Sequence, residues 1–417
     1  MAFEGLGNLE RLVIRTSLPQ ERRLAVGIDA FVGLPSLLSL EMPGNSLRSI
    51  PPNELCYLNR LRNLDLSGND VSSLEDIGVT SPDCLPDLER LVLSGNSVSR
   101  LGSSLFGLLP GLKHLDLSSN SIEAVVQEFE ASDSRPCQLR MLDLSDNSIT
   151  GLPATFFREC ANTLTTVKLT NNSITDLHQF LLKGLKSLQT LDLAGNDLAT
   201  FGGQLTRDLV SVKTLDLARN QLRRLDDVSV FSAMAATLQT LNLSDNYIEV
   251  ITDNVFKNLG NLKSLDLTRN RLSVVTSQTL SGLRSATHLL LGNNRIQSVQ
   301  SMASLAQTLL VLDLSNNRLA YAPEALGDLK VLQTLDLSHN DLKSIEGASF
   351  LRMGSLWRLQ LNGNSVRNVT VGQFKHMRSL QILDLSSNSI HYVLDILQEG
   401  TVEALVKICS NMILVQF

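Results

Sequence analysis

One eleven-residue pattern, L-x-x-L-x-L-x-x-N-x-[L/I/V], recurs along almost the whole chain and limits what the chain can fold into. The spacing between copies ranges from 23 to 27 residues and is most often 24. A unit this short cannot bury its own apolar side chains, so the copies must stack to build a continuous core. Fifteen asparagines mark the copies: Asn45, Asn69, Asn96, Asn120, Asn147, Asn172, Asn196, Asn220, Asn246, Asn270, Asn294, Asn317, Asn340, Asn364 and Asn388.

Within each copy, inward leucines alternate with polar residues, as in the run from Thr190 to Leu193. This is the period of a strand with one buried face and one open face. Each copy is therefore predicted to add one short strand to a parallel sheet with a strand spacing of about 4.8 Å. The remaining residues leave no room for a long helix, so turns and brief 3-10 segments are expected on the return path.

The asparagine of each copy stands where the strand ends and the chain turns inward. Backbone groups lose their sheet partners at that point and are shut away from water. A side-chain amide carries two donors and an acceptor, so it can satisfy backbone groups of its own coil and of the neighbouring coil. The asparagines are therefore predicted to be structural.

The pattern and its period resemble the leucine-rich repeat over residues 3–393. The 24-residue form with uninterrupted tandem copies is similar to animal extracellular leucine-rich repeat proteins of the chaoptin and Toll-ectodomain kind. This resemblance implies an α/β solenoid, a horseshoe with a parallel β-sheet on its concave face and irregular or short 3-10 segments on its convex side. A Phe or Leu six residues before the next copy accompanies the pattern: Phe31, Leu55, Phe106, Leu182, Phe256, Leu280, Leu326, Phe350 and Phe374.

The two ends of the chain depart from the pattern. Residues 1–393 are predicted to form a solenoid of about 16 units, of which the first, with Leu9 and Leu12 but no asparagine, is truncated. The chain begins in the middle of a repeat, with Phe3 six residues before Leu9. We therefore expect the chain to be a fragment of a longer protein. Residues 394–417 are predicted to be a non-repeat C-terminal helix or tail, helical through about Lys407, and a candidate cap.

Charge and motifs exclude several function classes. The net charge of −6 and the pI near 5.6 argue against a nucleic-acid partner. No apolar stretch reaches the roughly 18 residues of a membrane span, so a membrane is expected to be reached only through a segment missing from this chain. The six histidines lack any metal-binding or catalytic spacing. We therefore expect no enzyme activity, no cofactor, no metal and no small-molecule substrate.

Cysteines and glycosylation sequons are ambiguous signals. Cys137 and Cys160 are 23 residues apart, about one repeat, which is compatible with a disulfide between adjacent coils. The favoured alternative is a pair of buried free thiols. N-x-S/T sequons mark Asn171, Asn242 and Asn368 as candidate glycosylation sites, although an Asn- and Ser-rich chain produces such sequons by chance.

The residue between the two inward strand leucines is Asp in nine of fourteen copies. Such a row could attract a basic partner or a cation. The favoured interpretation is that Asp is simply the commonest residue of the L-D-L-S form of the repeat.

A change along the predicted concave face favours a binding site in the later copies. Up to Leu262 the outward strand positions are almost all polar, and beyond Ala286 apolar and aromatic residues replace them. Trp and Arg are frequent anchors of protein interfaces. Sequence drift without a partner is the alternative. The predicted partner-binding residues are Trp357, Arg358, His288, Leu290, Leu310, Val311 and Ile382.

The resemblance implies a non-enzymatic module for protein–protein recognition, cell adhesion or matrix assembly, located outside the cell or at its surface. Its partner would be a protein ligand bound on the concave face. One alternative is an intracellular scaffold or inhibitor of the ribonuclease-inhibitor or phosphatase-regulator kind, favoured by the missing signal peptide and cysteine-rich caps. Another is the ectodomain fragment of a signalling receptor.

Overall fold

A computed structural model describes residues 3–16, 23–102, 105–126, 137–345, 348–350, 352–370, 373–374, 376–394 and 405–407. The chain divides into two compact units, Met1–Val212 and Lys213–Phe417. Each unit is a stack of coils, and each coil contributes a short strand to a parallel sheet, here called the main sheet of that unit. The predicted solenoid class, a parallel sheet with short irregular return segments, is confirmed in each unit.

In the first unit the strands of the main sheet pair in parallel and in chain order. The strands are β1 (Arg11–Val13), β2 (Ser39–Glu41), β3 (Asn63–Asp65), β4 (Arg90–Val92), β5 (Arg100–Gly102), β6 (His114–Asp116), β7 (Ala124–Val126), β8 (Met141–Asp143), β9 (Thr166–Lys168) and β10 (Thr190–Asp192). Of these, β5 and β7 lie on the return side and pair only with each other among the described strands. The helices are single turns: 3-10 segments at Glu54–Tyr57 and Glu75–Ile77, α1 (Leu105–Leu108) and α2 (Gly203–Thr206).

The second unit repeats this arrangement. Its strands are β11 (Thr214–Asp216), β12 (Arg224–Leu225), β13 (Thr240–Asn242), β14 (Val250–Ile251), β15 (Ser264–Asp266), β16 (Val274–Val275), β17 (His288–Leu290), β18 (Ser298–Val299), β19 (Val311–Asp313), β20 (Thr334–Asp336), β21 (Arg358–Gln360), β22 (Asn368–Thr370), β23 (Ile382–Asp384), β24 (Tyr392–Leu394) and β25 (Leu405–Lys407). The return side holds the pairs β12–β14, β16–β18 and β22–β24. The helices are α3 (Ser277–Leu280) and 3-10 segments at Ala303–Leu305, Glu324–Asp328 and Ala348–Phe350.

The main strands follow the predicted alternation because each buries one central apolar residue. Leu64, Leu191 and Leu335 are completely buried in this way. Removal of such side chains from water supplies most of the stability of a stacked repeat. The return-side strand pairs were not predicted, although the segments around them are as short and irregular as expected. In the part of the chain that the structure describes, no helix is long and apolar enough to cross a membrane.

The asparagines bridge successive coils, as predicted. The Asn196 Oδ1 accepts from the Ile174 N–H of the preceding coil at 3.0 Å. Its Nδ2 donates to the Leu169 carbonyl of that coil at 2.9 Å and to the Leu193 carbonyl of its own coil at 3.0 Å. Asn196 is buried, and its bonds satisfy backbone groups that the ended strand leaves without sheet partners.

The first coil is the least covered of the described coils in its unit. Leu9, Leu12 and Ile14 are half-buried, whereas Leu40 and Leu64 in the next two coils have no exposed surface. Strand β1 pairs with β2 alone among the described strands. One side of the first core layer is therefore open in the described structure.

Two sequence predictions need correction. Cys137 and Cys160 form a disulfide, so the favoured prediction of free thiols was wrong. A second disulfide, Cys56–Cys84, was not predicted. In the tail, Leu394 is the last residue of strand β24, and the three residues Leu405–Lys407 are a strand paired with β23, so the helix prediction is wrong over these residues. The rest of 395–417 lies outside the described residues, and the domain boundary at residue 393 stays a prediction.

Candidate functional site

Each main strand points its first and third residues away from the coil interior, onto a surface here named the open face. In β10 the central Leu191 is buried, while Thr190 and Asp192 are half-buried. The parallel register places equivalent residues side by side, such as Leu191 opposite Val167. The open face of each unit therefore consists of rows: a first row and a third row of strand residues, and a leading row formed by the residues directly before the strands.

The seven residues predicted to bind a partner all lie on the open face of the second unit. They belong to β17, β19, β21 and β23 or directly precede one of these strands. His288 is exposed, and the other six are half-buried. The structure brings His288, Val311, Arg358 and Ile382 into the first row, Leu310 and Trp357 into the leading row, and Leu290 into the third row.

These seven residues do not form one continuous apolar surface. Strand β20 pairs with β19 on one side and with β21 on the other, and it carries Thr334 in the first row after Gln333 in the leading row. Val311 and Arg358 are consequently two strand spacings apart, about 10 Å. The predicted surface is thus divided into two groups by a polar strand.

Backbone hydrogen bonds hold Trp357 on both sides. Its N–H donates to the Gln333 carbonyl at 2.9 Å. Its carbonyl accepts from the N–H groups of Gln381 and Ile382 at 2.8 and 2.9 Å. The backbone that carries the indole is therefore fixed before any partner arrives, which lowers the entropy cost of using the side chain as an anchor.

Arg358 lies beside Trp357 in a partly satisfied polar network. With the Gln360 amide nitrogen 2.8 Å from the Asp336 Oδ2, the Gln360 oxygen accepts from the Arg358 Nη2 at 3.3 Å. The Arg358 Nε is buried and has no hydrogen-bond partner among the described residues. The Arg358 Nε–H is therefore a hydrogen-bond donor that this network leaves unpaired.

Asp336 is the carboxylate most affected by this environment. Burial raises the pKa of Asp336, and repulsion from Asp313 in the same row raises this pKa further. Hydrogen bonds from Ser338 and attraction to Arg358 oppose the shift. Because burial has the largest effect, a negative charge at Asp336 is costly.

The aspartate row has a structural explanation. The Oδ1 of these residues accepts from the backbone N–H two positions later, as Asp192 does from Ala194 at 3.0 Å and Asp313 does from Ser315 at 2.8 Å. This is an Asx turn, in which the side chain completes the end of a strand. Equivalent bonds are made by Asp65, Asp116, Asp143, Asp216, Asp266, Asp336 and Asp384. No group of three or more His, Cys, Asp and Glu in the described ranges is arranged to hold a metal ion.

A basic cluster on the open face of the first unit was missed by sequence reasoning. His114 pairs in register with Arg90, and its Nδ1 is buried without a hydrogen-bond partner among the described residues. Burial lowers the pKa of His114, and the positive charges of Arg90 and Arg140 lower it further. Lys113 is paired with Glu89 at 2.9 Å. The sequence contained a signal for this cluster, because Arg90 is the first residue of β4 and Arg140 directly precedes β8.

The three sequons differ in accessibility. Asn171 and Asn368 are exposed. Asn242 is half-buried on the open face, where its Nδ2 donates to the Asp216 Oδ2 at 3.0 Å and its Oδ1 accepts from the Ser244 N–H. Glycosylation at all three sites stays a prediction, and Asn171 and Asn368 offer the better access.

Comparison with known sequences gives matches to leucine rich repeat profiles along most of the chain. Leucine rich repeat profiles match residues 17–71, 74–131, 162–222, 236–296, 286–342 and 307–366, and two further profiles of this repeat match 138–160 and 376–393. A 71-residue segment is 38% identical to the mouse (Mus musculus) leucine-rich repeats and immunoglobulin-like domains protein 3. This match covers 16% of the present chain and 6% of that protein, so the chain spans a small part of that relative.

Solved structures share the fold at low sequence identity. The Toll–Spatzle complex of Drosophila gives a TM-score of 0.82 at 21% identity, covering 94% of this chain and 52% of that chain. The TLR13–ssRNA13 complex gives a TM-score of 0.67 at 22% identity, covering 91% and 58%. These similarities show the fold alone, and the fold does not select between the two kinds of partner.

Proposed function

Because the chain belongs to the leucine-rich repeat family, we propose that it is a non-enzymatic module that binds a protein partner on the open face of its second unit. The observation that carries this proposal is the position of Trp357 and Arg358. Both side chains lie on the face opposite to the buried leucines, so packing of the coil gives no reason for a large aromatic residue there.

The surroundings of these two residues support an anchoring role. The backbone of Trp357 is held by both neighbouring coils, and Arg358 lies next to it, half-buried on the same face. Ile382 lies beside Arg358 in the first row and adds apolar surface. An aromatic side chain next to an Arg, with apolar contacts around them, is the composition of many interface hot spots. Leu310 and Val311, with His288 and Leu290, form the second group of the proposed surface.

The disulfides support a location outside the cell or at its surface. Cys56–Cys84 and Cys137–Cys160 each join different coils, and disulfides persist mainly in oxidising compartments. Receptor ectodomains and adhesion proteins are the proposed class, and Toll in complex with Spatzle offers a precedent for a protein ligand on this fold. The intracellular scaffold is the weaker alternative because a reducing compartment would open both bonds. A nucleic-acid partner is not proposed, since the net charge is −6.

The test is binding of the purified chain to animal cells, measured by flow cytometry with and without trypsin treatment of the cells. The variant carrying Trp357→Ala and Val311→Asp should lose the trypsin-sensitive binding. Loss of one buried aromatic anchor costs about 2 kcal/mol or more, roughly thirtyfold in affinity. Tyr321→Ala is the control, because Tyr321 is 68% exposed and lies outside the open face.

Thermal unfolding of all variants separates a binding defect from a folding defect. Unchanged binding by the double variant at an unchanged melting temperature would exclude the proposed surface. Binding that survives trypsin treatment would exclude a cell-surface protein as the partner.

A further inference from the structure

The second unit contains a cleft of about 490 Å³ on its return side, away from the open face. This volume lies within the range of roughly 300 to 1,000 Å³ that is usual for small-molecule sites. None of its lining residues belongs to a main strand. The cleft is lined by Asn254, Lys257, Asn258, Gly260, Gln278, Ser281, Gly282 and Arg284.

The cleft is open at residue 260 because glycine has no side chain to fill it. The Gly260 N–H donates to the carbonyl two residues earlier, and Lys186, Val210, Arg284 and Lys330 make the same bond at the same position of their coils. The fold therefore accepts large side chains at this position. A Cβ added to Gly260 would meet no atom within 4 Å, so a side chain there would occupy the space of the cleft.

Gly282 has a different role in forming the cleft. It is buried, and a Cβ at this position would collide with the backbone of Phe256 and Lys257 in the preceding coil. Glycine is thus required for this close approach of two coils. The Gly282 backbone forms part of the cleft wall, while Gly260 leaves its opening free.

The residues that line the cleft are polar or glycine, and two of them carry a positive charge. None of the eight lining residues is acidic or aromatic. Three side-chain amides, from Asn254, Asn258 and Gln278, can each donate and accept hydrogen bonds. The Ser281 hydroxyl donates to the Gln278 carbonyl at 3.0 Å, which leaves its oxygen as an acceptor.

Two cations complete the lining. Lys257 and Arg284 are exposed, and neither has a carboxylate within 4.0 Å in the described part of the chain. Typical small-molecule pockets are mainly apolar with a few polar groups. A cleft lined by amide, hydroxyl, cationic and glycine residues favours a ligand that carries hydrogen-bonding groups and a negative charge.

We propose that this cleft binds an anionic saccharide, a sugar unit that carries a sulfate or a carboxylate group. Lys257 and Arg284 pair with the anionic group. The three amides and the Ser281 oxygen exchange hydrogen bonds with the sugar hydroxyls, which are both donors and acceptors. A free inorganic anion would use only the two cations, and an apolar peptide side chain would use none of these groups.

The test is a titration of the full chain, followed by NMR saturation transfer and calorimetry. The probes are N-acetylglucosamine 6-sulfate, glucuronic acid and uncharged N-acetylglucosamine. Saturable binding of at least one charged sugar is expected, with the uncharged sugar at least about tenfold weaker because it loses the charge-assisted hydrogen bonds. The variants Gly260→Leu and Lys257→Gln with Arg284→Gln should each remove this binding.

Lys330→Gln is the matched control, because Lys330 occupies the coil position of Arg284 but does not line the cleft. It should bind the charged sugars like the unchanged chain. Absence of saturable binding to both charged sugars would overturn the proposal, and so would binding that persists in Gly260→Leu and in the double variant. If inorganic sulfate binds as tightly as the sulfated sugar, the cleft recognises a simple anion and not a saccharide, which also overturns the proposal.

Discussion

The Asn242 Nδ2 donates a hydrogen bond of 3.0 Å to the Asp216 Oδ2 on the neighbouring strand of the main sheet. The two residues occupy the same row, and the Asn242 Oδ1 accepts from the Ser244 N–H as the aspartates do from theirs. An amide therefore completes the strand end as well as a carboxylate does. The negative charge of this row is not needed for its structural hydrogen bond.

This relationship leads to a prediction for Asp336. Its pKa is raised mainly by burial, so the folded chain holds more protons than the unfolded chain between pH 3.8 and the folded pKa. Stability must therefore fall as the pH rises through this window. Asp336→Asn, which does not titrate, should melt above the unchanged chain at pH 7, and the difference should shrink below pH 3.8.

Thermal unfolding at pH 3.5 and pH 7 checks this prediction. Asp384→Asn is the matched control in the same row, since Asp384 makes the same Asx-turn bond to the Ser386 N–H. A lower melting temperature for Asp336→Asn at pH 7 would show that its charge stabilises the fold and contradict the prediction.

His114 should titrate below its usual value of 6.5, because burial and the charges of Arg90 and Arg140 lower its pKa. The unfolded chain then holds more protons than the folded chain between the folded pKa and 6.5. Stability should consequently fall as the pH drops below 6.5. NMR titration should show a higher pKa for His114 in Arg90→Gln than in the unchanged chain.

Arg207→Gln is the control for this measurement, because Arg207 is exposed and does not contribute to the pKa of His114. An unchanged His114 titration in Arg90→Gln would show that the charge of Arg90 does not contribute to the shift.

The buried asparagines should be the most costly polar residues to remove. Asn196→Ala leaves the buried Ile174 N–H without its acceptor and removes one of the two amide donors to the Leu169 carbonyl, the other being Asn172. The expected loss is about 1 to 3 kcal/mol of unfolding free energy. Urea unfolding measures it, with Asn162→Ala as the exposed control. A loss equal to that of the control would mean that water replaces the amide.

Local spacing made much of this fold predictable. The alternation around Leu191 and the asparagine at 196 lie within one copy of the repeat, so the sequence of that copy predicts both the strand and the residue that ends it. Cys56 and Cys84 gave no such signal, because they are 28 residues apart on return segments whose path the repeat does not specify. The free-thiol prediction for Cys137 and Cys160 failed for the same reason.

The sites depend on how neighbouring coils meet, which the sequence does not give directly. Placement of Trp357 and Arg358 on the open face followed from strand alternation. The polar strand that separates them from Val311 required the register of β20. The cleft proposed to bind a saccharide could not be predicted from the sequence. It forms because Gly260 has no side chain and because Gly282 lets two neighbouring coils approach closely.

The first coil should open before the rest of its unit. The Ile14 N–H donates to the Glu41 carbonyl at 2.8 Å, and the Leu169 N–H makes the equivalent bond to the Asp192 carbonyl at 2.8 Å. The two bonds match in type and length, but Leu12 beside the first is half-buried and Val167 beside the second is completely buried. Because local opening exposes less apolar surface in the first coil, Ile14 should show a protection factor roughly tenfold or more below that of Leu169. Native-state hydrogen exchange measured by NMR at a pH where opening is at equilibrium provides the comparison. Equal protection of the two amides would mean that the first coil unfolds only together with the coils behind it.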